Sequence, residues 1–267
     1  MEDSAHDGCT MTDAGAPVRY EERDAVAYLT LDAPPLNILT AAVMSDLTAA
    51  LERAQADRSL KAVVITSAGR AFSAGADIGE HQPAQAPMMI AAFSRLFATL
   101  GASDVPLVMA VDGAALGAGF ELVTMADVLL ASERATFGQP EIRLGFFAPV
   151  GVTALPARIG VARALEVTCT GRTFTAAEML ALGLVSRVVA PEELPATLES
   201  VLADLRRASP LVMRMNVRLT RQLQGRPFDE ARLAAERVFL DELMTIEDVR
   251  EGVAAFQEKR RPVWQNR

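Results

Sequence analysis

The chain has 267 residues, 51% apolar and 22% charged, which suffices for a large core in one elaborate domain or one domain with an appendage. Its net charge of −8 argues against the basic stripe of a nucleic-acid binder, while leaving room for local positive charge around an anionic ligand. Two cysteines (Cys9, Cys169) and two histidines (His6, His81) are too few for a disulfide framework or a zinc centre, so a reducing cytoplasm is the default expectation.

Residues 1–16 read as a disordered leader, acidic and without the apolar centre of a secretory signal. No apolar run reaches ~18 residues, so no membrane span is expected. Val26–Leu31 is rich in strand formers and stops at Asp32-Ala33-Pro34-Pro35. Thr40 is placed to N-cap a helix with Val43, Leu47, Leu51 and Ala54 on one face. Residues 61–66 form a short apolar strand closed by a turn at 67–70. Residues 71–77 follow as a glycine-containing loop, and 82–87, with two prolines and two glutamines, as a mobile surface stretch.

A helix over about 88–100 then leads to the strand Leu107–Val111. Residues 112–119 break that strand and open a helix running to about Met125, and 127–131 supply a further strand. Short strands alternating with helices indicate an α/β layer architecture. From Pro191 onward the pattern is helical, over 192–208, 211–223, 229–244 and 246–260, with Pro210 and Gly225-Arg226-Pro227 as punctuation. The division expected is a leader (1–16), an α/β core (17–205) and a C-terminal helical subdomain (206–267).

Three segments could carry chemistry. The glycine turn within 71–77 can face backbone N–H groups toward a ligand, although alone it is an ordinary strand-ending turn. In 113–121 two glycines precede a helix, whose first N–H groups are unpaired and suit an oxyanion. Gly113, Gly117 and Gly119 do not make G-x-G-x-x-G, which argues against a dinucleotide site. In Phe137-Gly138-Gln139-Pro140-Glu141 the proline ends regular structure and leaves Glu141 in a loop. Taken singly, Glu121 and Glu141 read as ordinary surface charges rather than catalytic groups. Ala71-x-Ser73-x-Gly75 imitates a serine-hydrolase elbow, but that reading needs a late histidine base. None follows His81, which reads as a bystander in a polar loop.

Together these segments resemble the crotonase (enoyl-CoA hydratase/isomerase) family, from about residue 17 to the C-terminus. The matching pieces are Ala71-Phe72-Ser73-Ala74-Gly75-Ala76-Asp77-Ile78, the run from Val111 through Asp112-Gly113 to Gly119-Phe120-Glu121, Phe137-Gly138-Gln139-Pro140-Glu141-Ile142, and the C-terminal run from Glu251-Gly252 to Phe256-Gln257-Glu258-Lys259-Arg260. Four such pieces in the right order and spacing carry the resemblance.

The resemblance implies an α/β fold with a β-β-α spiral core and C-terminal helices that build a homotrimer, often paired into a hexamer. It implies an oxyanion hole made by the N–H groups of Ala76 and Ala118, the latter where the family usually has glycine. It also implies two catalytic glutamates: Glu121 to orient and deprotonate water for attack at Cβ, and Glu141 to deliver a proton to Cα. The substrate would be an acyl-CoA, with coenzyme A part of that substrate and neither metal nor redox cofactor required. Ala76, Asp77, Ile78 and Gly79 would run along the pantetheine and adenine, with Gly79 replacing a lysine of typical hydratases. Phe256 and Lys259 would reach the adenine end from an adjacent subunit, although helix packing explains Phe256 equally well.

The stretch after Glu141 departs from the family pattern. Typical hydratases have a proline–glycine-rich turn there, whereas this chain has Gly145-Phe146-Phe147-Ala148-Pro149-Val150-Gly151. Pro149 falls where a glycine often donates an N–H beside the catalytic water, and proline has none to give. The segment is more similar to that of hydratases acting on a cyclic dienoyl-CoA. Double-bond isomerisation and non-catalytic acyl-CoA binding stand as the alternatives to hydration.

Overall fold

The computed structural model describes residues 15–267, so the expected leader lies almost wholly outside the described residues. Two sheets form the centre. The larger holds six strands: β1 (Val18–Arg23), β2 (Val26–Leu31), β3 (Ala62–Ser67), β5 (Leu107–Val111), β7 (Val128–Ser132) and β10 (Arg187–Val189), in the order β1-β2-β3-β5-β7-β10. Only the β1–β2 pair is antiparallel. The smaller sheet holds β4 (Ala71–Ser73), β6 (Ala114–Leu116), β8 (Thr136–Gly138) and β9 (Thr173–Thr175), in that order.

The chain visits the two sheets alternately, β3 then β4, β5 then β6, β7 then β8. Helices carry it back: α2 (Ala86–Ala102) after β4, and α3 (Ala118–Thr124) after β6. The result is a β-β-α spiral, as the resemblance implied. Strand pairing explains the hydrophobicity pattern. Val63, Val64 and Ile65 of β3 and Val108 and Met109 of β5 are all fully buried, because a parallel strand covered on both faces has no solvent side.

Helix α1 (Ala41–Ala56) forms where its cap predicts. Thr40 Oγ1 accepts the Val43 N–H at 3.2 Å, and Val43, Leu47, Leu51 and Ala54 are buried with Met44 against the main core. The opposite face of the large sheet is covered by α7 (Leu194–Arg206), whose Leu194, Val201 and Leu202 pack on Val26, Tyr28, Val64 and Leu130.

Some expectations change. Residues 71–77 and 112–119 each contain a three-residue strand rather than being loop throughout. Helix α2 starts at Ala86, two residues before the expected place, because Pro87 fits the first helical turn, where a missing N–H costs nothing. The connection from β8 to β10, for which no element was expected, contains α4 (Pro149–Ile159), α5 (Val161–Thr170) and α6 (Ala176–Leu182).

The C-terminal helices α8 (Pro210–Leu223), α9 (Phe228–Asp241) and α10 (Glu247–Gln257) bury few residues of their own, and α9 buries none. Two arginines fasten α8 to the core. Arg214 is 1% exposed and donates to Asp104 Oδ1 at 2.6 Å, with further bonds to the carbonyls of Gln55 and Asp57. Arg221 forks onto both oxygens of Asp127 (3.0 and 2.9 Å) and onto the carbonyls of Leu100 and Ser103. No helix among the described residues is long and apolar enough to cross a membrane.

Candidate active site

The smaller sheet places the two glycine segments side by side. Gly75 follows β4 with φ +102°, and Gly117 follows β6. A Cβ at Gly75 would lie 2.9 Å from the Leu116 carbonyl oxygen and 3.5 Å from the Ala118 nitrogen. Only glycine allows this approach, which sets Ala76 and Ala118 on neighbouring strands of backbone. The Ala118 N–H belongs to the first residue of α3, where helix geometry supplies no acceptor. Neither N–H has a described hydrogen-bond partner, and both residues line a cavity of about 680 Å³.

Both glutamates line the same cavity. Glu121 lies in the first turn of α3 and is 2% exposed. Its Oε1 accepts the N–H groups of Val150 at 2.7 Å and Gly151 at 3.0 Å, so a side chain from α3 caps the start of α4. Burial pushes its pKa up to about 7; the two N–H bonds pull the other way, and the charge of Glu141 adds a smaller upward push. Pro149 occupies the first position of α4, where its lack of an N–H is harmless to the helix.

Glu141 stands in a 3-10 turn (Pro140–Leu144) rather than an irregular loop, since Pro140 starts a helical turn as readily as it ends a strand. A Cβ on Gly117 would come within 3.6 Å of Glu141 Oε2, which sets this carboxylate directly over the turn that carries Ala118. Desolvation raises its pKa above the ordinary carboxylate range, opposed in smaller part by hydrogen bonding to backbone and by nearby His81. The Gln139 side chain is 1% exposed, and with its amide nitrogen turned toward Glu141 it donates to that carboxylate.

The other expected contacts divide. Asp77 and Gly79 line the cavity, and Ile78 is 66% exposed at its rim. The Asp77 carboxylate is occupied locally: Oδ1 accepts the N–H groups of Gly79 (2.6 Å) and Glu80 (3.3 Å). Phe256 and Lys259 do not line this cavity. Phe256 stands 86% exposed beside a separate groove of about 820 Å³ between α8 and α10, and Lys259 follows α10 with φ +54°. Ser73, the would-be hydrolase nucleophile, is fully buried; its Oγ donates to Asn37 O (2.7 Å) and accepts from Gly75 N (3.1 Å). That geometry makes it a structural tie beneath the cavity.

Three groups at the site were missed in the sequence. The Val150 and Gly151 donors carry no signal, because any residue but proline supplies an N–H. Gln139 is a polar residue beside a proline, indistinguishable there from a surface position. His81, expected to be a bystander, lines the cavity with its Nδ1 2.8 Å from the Asp77 carbonyl oxygen.

A β-β-α spiral whose cavity joins two unpaired N–H groups to two carboxylates, one buried and one partly buried, defines the crotonase class. The sequence profile of the enoyl-CoA hydratase/isomerase family matches residues 21–267, and the chain belongs to that family. It is similar to the cyclohexa-1,5-dienecarbonyl-CoA hydratase of Thauera aromatica, 35% identical over 259 residues that cover 96% of this chain and 100% of the relative. A probable enoyl-CoA hydratase of Mycobacterium bovis is 38% identical over 250 residues (92% and 97%). Among solved structures, an enoyl-CoA hydratase subunit I from Geobacillus kaustophilus superposes with a TM-score of 0.87 at 34% identity, covering 94% of this chain and 99% of that one.

Proposed function

We propose that this enzyme catalyses reversible addition of water across the α,β-double bond of an acyl-CoA thioester. The thioester oxygen is received by the N–H groups of Ala76 and Ala118, which hold it as negative charge develops there. Preorganised donors of this kind each contribute ~2.7–4 kcal/mol. Glu121, anchored through Oε1, uses Oε2 to take a proton from water as the water oxygen bonds to Cβ. The double-bond electrons pass to the thioester oxygen as an enolate, and Glu141 returns a proton to Cα as the carbonyl re-forms.

One observation carries the reading: two carboxylates of raised pKa share a cavity with two unpaired N–H donors. In this reading the 76–79 segment lies along the pantetheine, while Phe256 and Lys259 meet the adenine of a neighbouring chain in a trimer or hexamer. The exposed Phe239, Leu240, Val253 and Phe256 on α9 and α10 support such an assembly.

The acyl group is a ring-borne conjugated one in this proposal. Phe146 and Phe147, which follow Glu141 and line the cavity, support it, as does the similarity to the Thauera enzyme. The test is an absorbance assay of the purified protein with crotonyl-CoA and cyclohexa-1,5-dienecarbonyl-CoA, with products weighed by mass spectrometry. A gain of one water is expected, faster with the cyclic ester. Product of unchanged mass would replace hydration by isomerisation, and no reaction with either ester would remove the proposal.

A further inference from the structure

We infer that His81 and Phe146 form an aromatic corner that selects flat, ring-borne acyl groups over linear ones; this rests on the function proposed above. The two residues come from different turns of the spiral. His81 ends the 3-10 turn Gly79–His81, three residues beyond the oxyanion segment, and Phe146 follows the turn that carries Glu141. Their rings meet with centroids 4.9 Å apart at 58°, and both line the cavity.

Each residue sits on a backbone segment tied by hydrogen bonds. The Asp77 carboxylate ties the start of the His81 turn through Gly79 N and Glu80 N, and Glu80 Oε2 accepts the Ala41 N–H at 2.8 Å at the head of α1. His81 Nδ1 lies 2.8 Å from the Asp77 carbonyl oxygen. An acceptor that cannot donate assigns the hydrogen to Nδ1 and so fixes the ring plane. On the other side, the Phe146 N–H donates to the Glu141 carbonyl oxygen at 3.1 Å. The corner is therefore built from the same two backbone segments that present Ala76 and Glu141.

A flat ring held there meets the face of one aromatic and the edge of the other, the arrangements that aromatic groups prefer. A linear acyl chain can fill the corner but gains neither contact. The selectivity belongs to ring shape, so Phe should replace His81 and a small aliphatic residue should not.

The test reads binding apart from catalysis. Calorimetric Kd values of benzoyl-CoA, a flat thioester, and butanoyl-CoA, a linear one, are compared in wild type, His81→Ala, His81→Phe and Phe146→Ala. The expected flat-to-linear preference falls by about 10-fold in both alanine variants and is kept in His81→Phe. Phe146→Ala, at a 40% exposed position, keeps the test valid if His81→Ala folds poorly. A ratio unchanged in both alanine variants overturns the inference, as does a His81→Phe variant no better than His81→Ala. Failure of the hydration reading would show separately, as absent turnover with the binding preference intact.

Discussion

Glu121 on α3 caps α4 by accepting the N–H groups of Val150 and Gly151 on Oε1, so a side chain that lines the cavity also serves the fold. The two duties separate under substitution. Glu121→Gln keeps an oxygen to accept the two N–H groups but loses the base, and its kcat should fall at least ~10²-fold with the fold intact. Glu121→Ala should lose the cap as well and melt several degrees lower. Thermal melts and steady-state rates on both variants check the division; equal melting temperatures would show that the cap contributes nothing.

Glu141 makes a different test, because it caps no helix. Glu141→Gln should leave CoA-ester Kd within a few-fold of wild type and lower kcat at least ~10²-fold. A near-wild-type rate would remove Glu141 from proton delivery.

The raised pKa of Glu121, about 7 against an ordinary 4.5, has consequences for rate and stability. In its proposed role as base it works ionised, so kcat/KM should fall as pH drops through about 7, with an apparent value that belongs to the Glu121–Glu141 pair. For stability the sign is the reverse. Between about 4.5 and 7 the folded state holds a proton that the unfolded chain has released, so this group's stabilisation is lost as pH rises, by roughly 3 kcal/mol. Melting temperature across pH 5–8 should therefore fall more in wild type than in Glu121→Gln, by roughly 5–10 °C. Parallel curves would contradict the shift.

Gly75→Ala should separate the two proposed oxyanion donors. Its Cβ would meet the Leu116 carbonyl oxygen at 2.9 Å, in a backbone conformation at φ +102° that alanine disfavours. Relief requires the 75–76 and 117–118 segments to part, and kcat should drop about 10²-fold, as when one such donor is lost. An unaltered kcat would show that the N–H pair is not the oxygen site.

Arg214→Leu tests the fastening of α8. It removes the guanidinium from Asp104 and from the carbonyls of Gln55 and Asp57. Asp104 is partly exposed and keeps Arg58 at 2.9 Å, so the cost should be about 2 kcal/mol rather than that of a fully buried pair. Circular-dichroism melts should show a Tm on the order of 5 °C lower.

The sequence is most legible where one element decides its own form. Thr40 and the apolar face it precedes define α1 without help from the rest of the chain. Four of the large sheet's six strands announce themselves as apolar runs such as Val63-Val64-Ile65, whereas the edge strands Val18–Arg23 and Arg187–Val189 do not. The smaller sheet is silent by contrast: Ala71–Ser73, Ala114–Leu116 and Thr136–Gly138 are three residues each, too short for any period, and are strands only because they pair with one another. Family resemblance names Ala76, Ala118, Glu121 and Glu141 as candidates, and the fold brings all four to one cavity. What could not be read were relations across the spiral: Glu121 with the start of α4, Gln139 turned onto Glu141, and His81 against a phenylalanine 65 positions on. Nothing local in any of these residues encodes its partner.

The alternation of the chain between two sheets assigns each ingredient of the cavity to a separate lap. One lap bears Ala76 and His81, the next Ala118 and Glu121, and the third Glu141 and Phe146. The short strands β4, β6 and β8 pair side by side and so hold the three laps against one another. The Phe146–Pro149 stretch belongs wholly to the third lap and forms one wall of the cavity, while the proposed oxygen-binding corner comes from the two earlier laps.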